Sequence, residues 1–355
     1  MTPMTRKQIF DRMGGFVDGL FLDIPKLLKP FLVRPRQIDR ASYEREMDFY
    51  LDQGYVDAPE TFFRQPDPIP SWTIESETPY RGGTCQHIRY NSSYEPVNPD
   101  VRPRFLSHQA NRTGWLVRWT HGDPGRKTVL CLHGYMLGEP NQAERMFRVR
   151  SLFDQGLDAA LFVAPFHWRR AAGSTAERGI YLRPDDPAMT AECIGQTMYD
   201  LHGCLALLGE LEAGEIGLVG ASMGGYNAAL FACLSQAASF AAMMVPAVSY
   251  TKPMGPDSVR LPFEPGDALR LKIHRVWEFH SPLRLEPRLP LDRLLFIASR
   301  GDRICPFEYV RALVEKWGRP EHHFHTGGHW LIFNRKARGR AWYSFLARMG
   351  FLPER

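Results

Sequence analysis

The sequence contains no long uninterrupted apolar run. The most hydrophobic stretch of its N-terminal part, residues 14–33, is interrupted by four charged residues: Asp18, Asp23, Lys26 and Lys29. A helix that spans a bilayer rarely tolerates such charges. The first residues also lead into no apolar core with a small-residue cleavage site, the pattern of a secretory signal. We therefore expect a cytoplasmic protein in which this stretch packs on the main domain, with peripheral attachment to a lipid membrane as the alternative.

Long basic runs are scarce, and cysteines are few. The chain carries 44 Lys and Arg against 39 Asp and Glu, a net charge of +5 over 355 residues. Because that excess is small for this length, we infer no nucleic-acid partner. The six cysteines are scattered, and several fall inside apolar patterns where a free thiol behaves as a small hydrophobic group, which favours a reducing compartment: Cys85, Cys131, Cys193, Cys204, Cys233 and Cys305.

What is present is an ordinary globular composition, with 44% hydrophobic and 23% charged residues. The length allows one large domain with extensions. Residues 1–75 are interpreted as an N-terminal helical extension, with a helix near Tyr43 to Leu51 followed by a proline-rich segment that cannot continue a helix. Residues 76–355 form the main domain, which begins with two strand-like runs typical of antiparallel edge strands, at residues 85–90 and 115–120.

Beyond Lys127, short continuously apolar runs alternate with longer amphipathic ones. This alternation predicts an α/β fold, a mostly parallel sheet with helices on both faces. One helix is expected to start at Asp186-Pro187, a capping residue followed by proline. The predicted buried strands are Thr128 to Leu132, Ala159 to Ala164, Ile216 to Val219, Phe240 to Val245 and Leu294 to Ala298.

Residues 250–290 break this rhythm with several prolines, two glycines and a weak helical stretch at Leu269 to Trp277. We interpret this segment as a cap insertion above the sheet. Its basic residues Arg260, Arg270, Lys272 and Arg275 form either a contact for an anionic head group or a solvated helix face. The side chains that could line an apolar pocket are Met254, Leu261, Phe263, Leu269, Trp277 and Phe279.

The strongest chemical signal is the segment Gly220-Ala221-Ser222-Met223-Gly224-Gly225. It directly follows an apolar strand and directly precedes a helical run of small residues. A G-x-S-x-G sequence at a strand-to-helix turn presents the serine hydroxyl on a tight, strained turn, and glycines are needed at both flanks because a Cβ there would clash with neighbouring elements. The N-terminus of the following helix favours the negative charge that develops in acyl transfer. Ser222 is therefore the candidate nucleophile.

A serine nucleophile requires a histidine base and a carboxylate that orients it. Asp302 lies four residues after the strand ending at Ala298, where its carboxylate would stand above the carboxyl edge of the sheet. His329 lies in the segment Thr326-Gly327-Gly328-His329-Trp330, between another strand-like run and the C-terminal helix. The order serine, acid, histidine along the chain fits one hydrolase arrangement.

With these motifs, residues 110–350 resemble the α/β-hydrolase superfamily of serine hydrolases. In that family a His-Gly pair after an early strand marks the loop that supplies an oxyanion donor, and His133-Gly134-Tyr135 matches it. The resemblance implies an oxyanion hole formed by the backbone N–H groups of Tyr135 and Met223, supported by His133, Gly134, Gly220 and Gly224. The Ser-Met-Gly-Gly turn and the N-terminal extension are also similar to an abhydrolase-domain family with few assigned substrates.

Each of these residues also has a structural interpretation. Ser222 could be a turn residue without chemistry, and Asp302 could cap a helix ahead of Pro306. His323 and His325 would share one face of a strand and suggest a metal, but no Cys or carboxylate cluster accompanies them, so no metal site is predicted.

The sequence thus predicts a serine hydrolase that cleaves a carboxylic ester or related acyl bond through an acyl-enzyme, without a cofactor. A hydrophobic or lipid-like acyl substrate is favoured, selected by the 250–290 insertion, whose apolar side chains could line an acyl pocket, and by the N-terminal extension. Peptidase and acyltransferase activities use the same three side chains, and a catalytically silent protein that binds a ligand on the same fold is the alternative from another class. The sequence does not indicate the oligomeric state.

Overall fold

The computed structural model describes residues 5, 7–19, 36–66, 71–172, 175–251 and 261–353. Nine strands lie in this part of the chain: β1 (Trp72–Tyr80), β2 (Gly83–Asn91), β3 (Thr113–Thr120), β4 (Thr128–Leu132), β5 (Asp158–Phe162), β6 (Ile216–Ala221), β7 (Ala241–Met244), β8 (Leu294–Ser299) and β9 (Glu321–His325). The α-helices of the same ranges are α1 (residues 7–19), α2 (Arg40–Asp52), α3 (Arg102–Leu106), α4 (Pro140–Met146), α5 (Val149–Phe153), α6 (Thr175–Arg178), α7 (Pro187–Glu210), α8 (Met223–Leu234), α9 (Asp267–Glu278), α10 (Phe307–Lys316) and α11 (Arg335–Arg348).

All nine strands belong to one sheet, in the order β1-β2-β3-β5-β4-β6-β7-β8-β9. The pairs from β1 to β5 are antiparallel, and those from β5 through β9 are parallel. The predicted α/β fold with a mostly parallel sheet is therefore confirmed. Because parallel strands point the same way, the loops that follow β4, β6, β8 and β9 meet at one edge of the sheet.

The core divides into two apolar layers, one on each face of the sheet. Side chains of α2, α7, α8, α9 and α10 fill the first layer, and those of α4, α5 and α11 fill the second. Every residue of β4 and β5 is buried, as expected for strands covered on both faces. The predicted helix start at Asp186-Pro187 is confirmed, because the Asp186 carboxylate accepts the N–H of Met189 at 3.1 Å.

The first strand was missed by the sequence analysis. β1 carries almost entirely exposed side chains and a proline near its end, so it offers no apolar alternation to detect. It is held by pairing with β2 across a hairpin in which Arg81 and Gly82 both have positive φ, 49° and 87°. The boundary placed at residue 75 consequently falls inside β1.

The N-terminal extension packs on the main domain. The helix predicted near Tyr43 to Leu51 is α2, which packs against α9 of the 250–290 segment, and the weak helical stretch predicted there is α9 itself. Of the apolar stretch 14–33, residues 14–19 belong to α1, while residues 20–33 lie outside the described ranges. Among the described helices, none combines the length and apolar character needed to cross a membrane.

Candidate active site

Ser222 occupies the tight turn between β6 and α8. Its backbone has φ 57° and ψ −115°, a region that residues with a side chain seldom adopt. Two backbone hydrogen bonds hold it there: its N–H donates to Met244 O at 3.0 Å, and its carbonyl accepts from Ala247 N at 3.0 Å. The turn leaves the side chain of Ser222 partly exposed while its neighbours are buried.

The flanking glycines are required by packing. A Cβ added to Gly220 would collide with the carbonyl oxygen of Gly224, and one added to Gly224 would collide with the carbonyl oxygen of Leu132 on β4. The packing reason inferred from the sequence is therefore confirmed. Any side chain at these positions would force β6 and α8 apart and move Ser222.

Asp302 lies in the loop after β8, and both of its carboxylate oxygens are engaged. Oδ1 accepts the N–H groups of Ile304 and Cys305 at 3.0 and 2.8 Å, and Oδ2 lies 2.8 Å from Nδ1 of His329. The side chain is nearly inaccessible. Burial raises the pKa of Asp302, and the hydrogen bond with His329 opposes that rise. The carboxylate is thus fixed in orientation on one edge of the imidazole.

His329 follows β9 and is buried beside Asp302. Burial alone would lower the pKa of His329, but the neighbouring Cys305 and Asp302 favour the protonated ring and raise the pKa well above its ordinary value. In its neutral form the ring of His329 carries its proton on Nδ1, which donates to the Asp302 carboxylate. Nε2 is then the nitrogen available to accept a proton.

Cys305 is a site residue that sequence reasoning missed. Its Sγ lies 3.6 Å from Oγ of Ser222, and Cys305 is among the groups that raise the pKa of His329. The thiol is 5% exposed. No sequence motif indicates this position. Cys305 is brought close to Ser222 by a turn in which the N–H of Cys305 donates to the Asp302 carboxylate.

The thiol should affect the pH dependence of the site. Replacing Cys305 with alanine removes one of the two groups that raise the pKa of His329, so that pKa should fall. Because His329 must be neutral to accept a proton, the acidic limb of the kcat/KM profile is expected to move to lower pH. Ester hydrolysis measured between about pH 5 and pH 9 checks this shift, with Cys305→Ser as the conservative comparison. An unchanged acidic limb would mean that Cys305 does not act on the base.

Two buried histidines brace the loop after β4. The ring of His133 accepts the N–H of Ala164 on Nε2 at 3.0 Å and faces Gly134 O through Nδ1 at 2.9 Å. His167, in the loop after β5, accepts the N–H of Met136 at 3.2 Å. Burial lowers the pKa of His133 to about 4 and that of His167 well below its ordinary value, so both rings are neutral at pH 7.

The braced loop places Gly134 against the turn at Ser222. A Cβ on Gly134 would stand 3.6 Å from the Ser222 Cβ. Met223 is the first residue of α8, and the N–H groups of a first helical turn have no acceptor within the helix. The N–H of Tyr135 has no backbone acceptor among the described residues. The two N–H donors implied by the family resemblance therefore lie on the two segments that flank Ser222.

Helix α1 contributes a second feature that the sequence did not reveal. Asp18, which is fully buried, accepts the backbone N–H of His329 at 2.7 Å, that of Trp330 at 3.4 Å and that of Arg303 at 3.1 Å. One carboxylate thus ties the histidine loop to the acid loop. Its negative charge also contributes to raising the pKa of Asp302.

The rest of α1 fits closely against the same two loops. Gly14 of α1 packs tightly on Gly328 of the histidine loop. A Cβ on Gly14 would overlap the backbone of Gly328, and a Cβ on Gly328 would overlap the backbone of Gly14. On the neighbouring turn, Asp11 accepts the N–H of Gly327 at 3.0 Å. Phe10 stacks on Phe333, with ring centroids 4.4 Å apart. The extension is therefore part of the framework that positions His329.

Replacing Asp18 with asparagine is expected to lower kcat about 10- to 100-fold while changing KM little, because a small displacement of His329, the candidate base, costs rate rather than binding. The asparagine amide nitrogen would face backbone N–H donors that need acceptors. Steady-state kinetics on a soluble ester measure the effect, with Asp11→Asn on the same helix as the matched control for loss of one bond. A variant with normal kcat but a lowered melting temperature would reduce Asp18 to a purely structural role.

The remaining histidines on β9 do not join the site. His323 and His325 lie on one face with ring centroids 6.2 Å apart, and His325 contacts Ser299. Within the described ranges, no group of three or more His, Cys, Asp or Glu residues is arranged to hold a metal ion. All six cysteines are free thiols.

Comparisons with known proteins place this geometry in a fold. No protein-family model matches the chain. Two uncharacterized proteins of Mycobacterium tuberculosis, from strains CDC 1551 and H37Rv, are each 27% identical over 356 residues, covering 99% of this chain and 85% of the relative. These relatives indicate shared ancestry over almost the whole length, including the N-terminal extension.

Solved structures add the fold. The acetyl xylan esterase from Paenibacillus sp. R4 superposes with a TM-score of 0.54 at 19% identity, covering 82% of this chain and 93% of its own. Acetyl xylan esterase 1 from Thermoanaerobacterium sp. JW/SL YS485 gives a TM-score of 0.56 at 14% identity, covering 84% and 93%. The chain has the α/β-hydrolase fold, as the sequence resemblance implied.

Proposed function

We propose that this protein is a serine hydrolase that cleaves carboxylic esters, with Ser222 as nucleophile, His329 as base and Asp302 as the orienting acid. The observation that carries the proposal is the 2.8 Å contact between Asp302 and His329 at the carboxyl edge of the sheet, beside a serine held on a strained turn. Strain of this kind at a non-glycine residue is typical of catalytic positions.

The proposed reaction has two stages. Nε2 of His329 accepts the Ser222 hydroxyl proton while Oγ attacks the ester carbonyl carbon, and the tetrahedral oxyanion is stabilised by the N–H groups of Tyr135 and Met223. His329 then gives the proton to the leaving alcohol, and the acyl group stays on Ser222. In the second stage, a water molecule loses a proton to His329, attacks the acyl-enzyme and releases the acid.

The side chains of the 250–290 segment bear on the size of the acyl group. Leu269, Trp277 and Phe279 are buried in the first apolar layer, where Phe279 stacks on Tyr50. The expectation that these three line an acyl pocket is therefore wrong. Because Met254 lies outside the described ranges, only Leu261 and Phe263 of the original set remain partly exposed candidates.

We infer that short acyl esters are the better first substrates. The structural neighbours named as acetyl xylan esterases act, by their names, on an acetyl ester, and the apolar side chains that favoured a lipid are largely used by the core. Initial rates on p-nitrophenyl esters of increasing acyl length distinguish the two interpretations. A rate that rises steadily with chain length would restore the lipid-like substrate.

The test of the whole proposal is labelling by a fluorophosphonate, a probe that reacts rapidly only with an activated serine. Full-length protein is expected to carry the adduct on Ser222, located by mass spectrometry, and the Ser222→Ala and His329→Ala variants should not be labelled. A folded protein that takes no label and hydrolyses no ester would support the silent binding protein instead. Hydrolysis of anilides but not esters would support a peptidase or amidase.

A further inference from the structure

A strongly basic groove lies on the second face of the sheet, between the α4–α5 segment and α11. Its volume is about 1830 Å³. Of the described residues that line it, seven are Arg or Lys and two are carboxylates, an excess of five positive charges. That excess equals the net charge of the entire chain, +5, so the remainder of the protein carries no net charge.

The two carboxylates in the groove already have partners. Glu144 accepts from Arg150 at 2.6 Å and from the Tyr80 hydroxyl at 2.9 Å. Asp154 pairs with Arg81 of the β1–β2 hairpin at 2.6 Å. Neither acid is therefore available to neutralise the other cations of the groove.

Besides Arg150, six cations line the groove. Arg348, at the far end, pairs with Glu321. The others form no ion pair with any described residue: Arg145, Arg148, Arg335, Lys336 and Arg340. By contrast, the basic residues of α9 are matched with acids, because Arg270 pairs with Glu264, Lys272 with Asp48 and Arg275 with Asp57.

The unmatched charges act on each other. Arg338, on the same helix, has a pKa lowered by burial and by the like charges of Arg335 and Arg148. Like charges gathered in one concave surface repel, and an anion that enters the groove removes this repulsion while gaining attraction. Guanidinium groups are also well suited to paired hydrogen bonds with phosphate oxygens.

We propose that this groove binds an extended anion that carries several closely spaced phosphates, such as a short chain of linked phosphates. Arg335 and Arg340 are five residues apart, about 7.5 Å along the axis of α11, and Arg145 and Arg148 face them from the other wall. The lining cations are thus distributed over two walls and along α11. Several linked phosphates fit this spread of charge.

The lining also distinguishes this ligand from other polyanions. Grooves for single-stranded nucleic acid combine cations with several aromatic rings on which bases stack. The described lining residues include a single aromatic side chain, Tyr343, whose hydroxyl contacts Ser151 at 2.8 Å. Helices that dock on membranes insert large apolar side chains, and none of the exposed large apolar residues of the described chain lines the groove.

The experiment uses full-length protein and calorimetric titration with three probes: orthophosphate, tripolyphosphate and a longer linear polyphosphate. We expect the longest probe to bind at least about tenfold more tightly than orthophosphate. The doubly reversed variant Arg148→Glu/Arg340→Glu should lose at least about tenfold in affinity for it. Arg293→Glu/Arg311→Glu, two exposed arginines outside the groove, changes the net charge equally and should bind like the wild type.

A thermal measurement checks the same site without reference to catalysis. Polyphosphate should raise the melting temperature of the wild type and of the control variant but not that of the groove variant. Equal affinities for the groove and control variants would overturn the proposal. It would also be overturned if an RNA oligomer, or vesicles of anionic lipid, bound the wild type as tightly as polyphosphate and lost that binding in the groove variant.

Discussion

Replacing Ser222 with alanine is expected to lower kcat for an activated ester by about 10⁵- to 10⁶-fold. Without the hydroxyl, the Asp302–His329 pair has no proton to remove, and the N–H groups near Ser222 can only bind the substrate. The backbone bonds of Ser222 to Met244 and Ala247 do not involve its side chain, so the melting temperature should stay within about two degrees of the wild type. The rate of p-nitrophenyl acetate hydrolysis measures the loss of kcat, and a thermal melt measures the melting temperature.

Ser107→Ala, at an exposed serine on the protein surface, is the control for loss of a hydroxyl and should have wild-type rates. If the Ser222→Ala variant kept more than about 1% of the activity, the nucleophile would have to be another group. The thiol of Cys305, 3.6 Å from Ser222, would be the first candidate. A Ser222→Ala/Cys305→Ala double variant then identifies it.

Replacing Asp302 with asparagine is expected to lower kcat by about 10⁴-fold. The amide oxygen can keep the bonds from the N–H groups of Ile304 and Cys305, so the loop should keep its shape. The amide nitrogen would then face Nδ1 of His329 as a donor. The imidazole proton moves to Nε2, and that nitrogen can no longer accept the proton of Ser222.

Asp292→Asn is the matched control, because Asp292 is an exposed acid just before β8, at the opposite edge of the sheet from the site. It should hydrolyse esters at the wild-type rate. A fall of less than about tenfold in the Asp302→Asn variant would show that His329 is oriented by other contacts. The bonds from Asp18 to the backbone of the histidine loop would be the alternative support.

The parallel part of the fold was predictable because its strands are continuously apolar, a pattern that burial on both faces imposes. Predicted and observed bounds of β4 agree, and those of β6 and β8 differ by two residues or fewer at either end. The positions of Ser222, Asp302 and His329 at one edge follow from the same reasoning, because each residue lies within four residues of the carboxyl end of a parallel strand.

Other features depend on contacts between distant parts of the chain and left no local pattern. The N–H of His329 and the carboxylate of Asp18 are 311 residues apart, and an aspartate inside an apolar stretch indicated only that the stretch does not span a membrane. The basic groove is similar. Its cations come from two separate helical segments, each unremarkable in charge by itself, and only folding brings them together.

The bonds from Asp18 to the histidine loop have a consequence for biosynthesis. Asp18 is synthesised 311 residues before His329, so α1 has to wait in the nascent chain until β9 and the following loop emerge. Until then the turn at Ser222 can fold, but His329, the proposed base, has no fixed position. The proposed site should thus be complete only after the loop that carries His329 has left the exit tunnel.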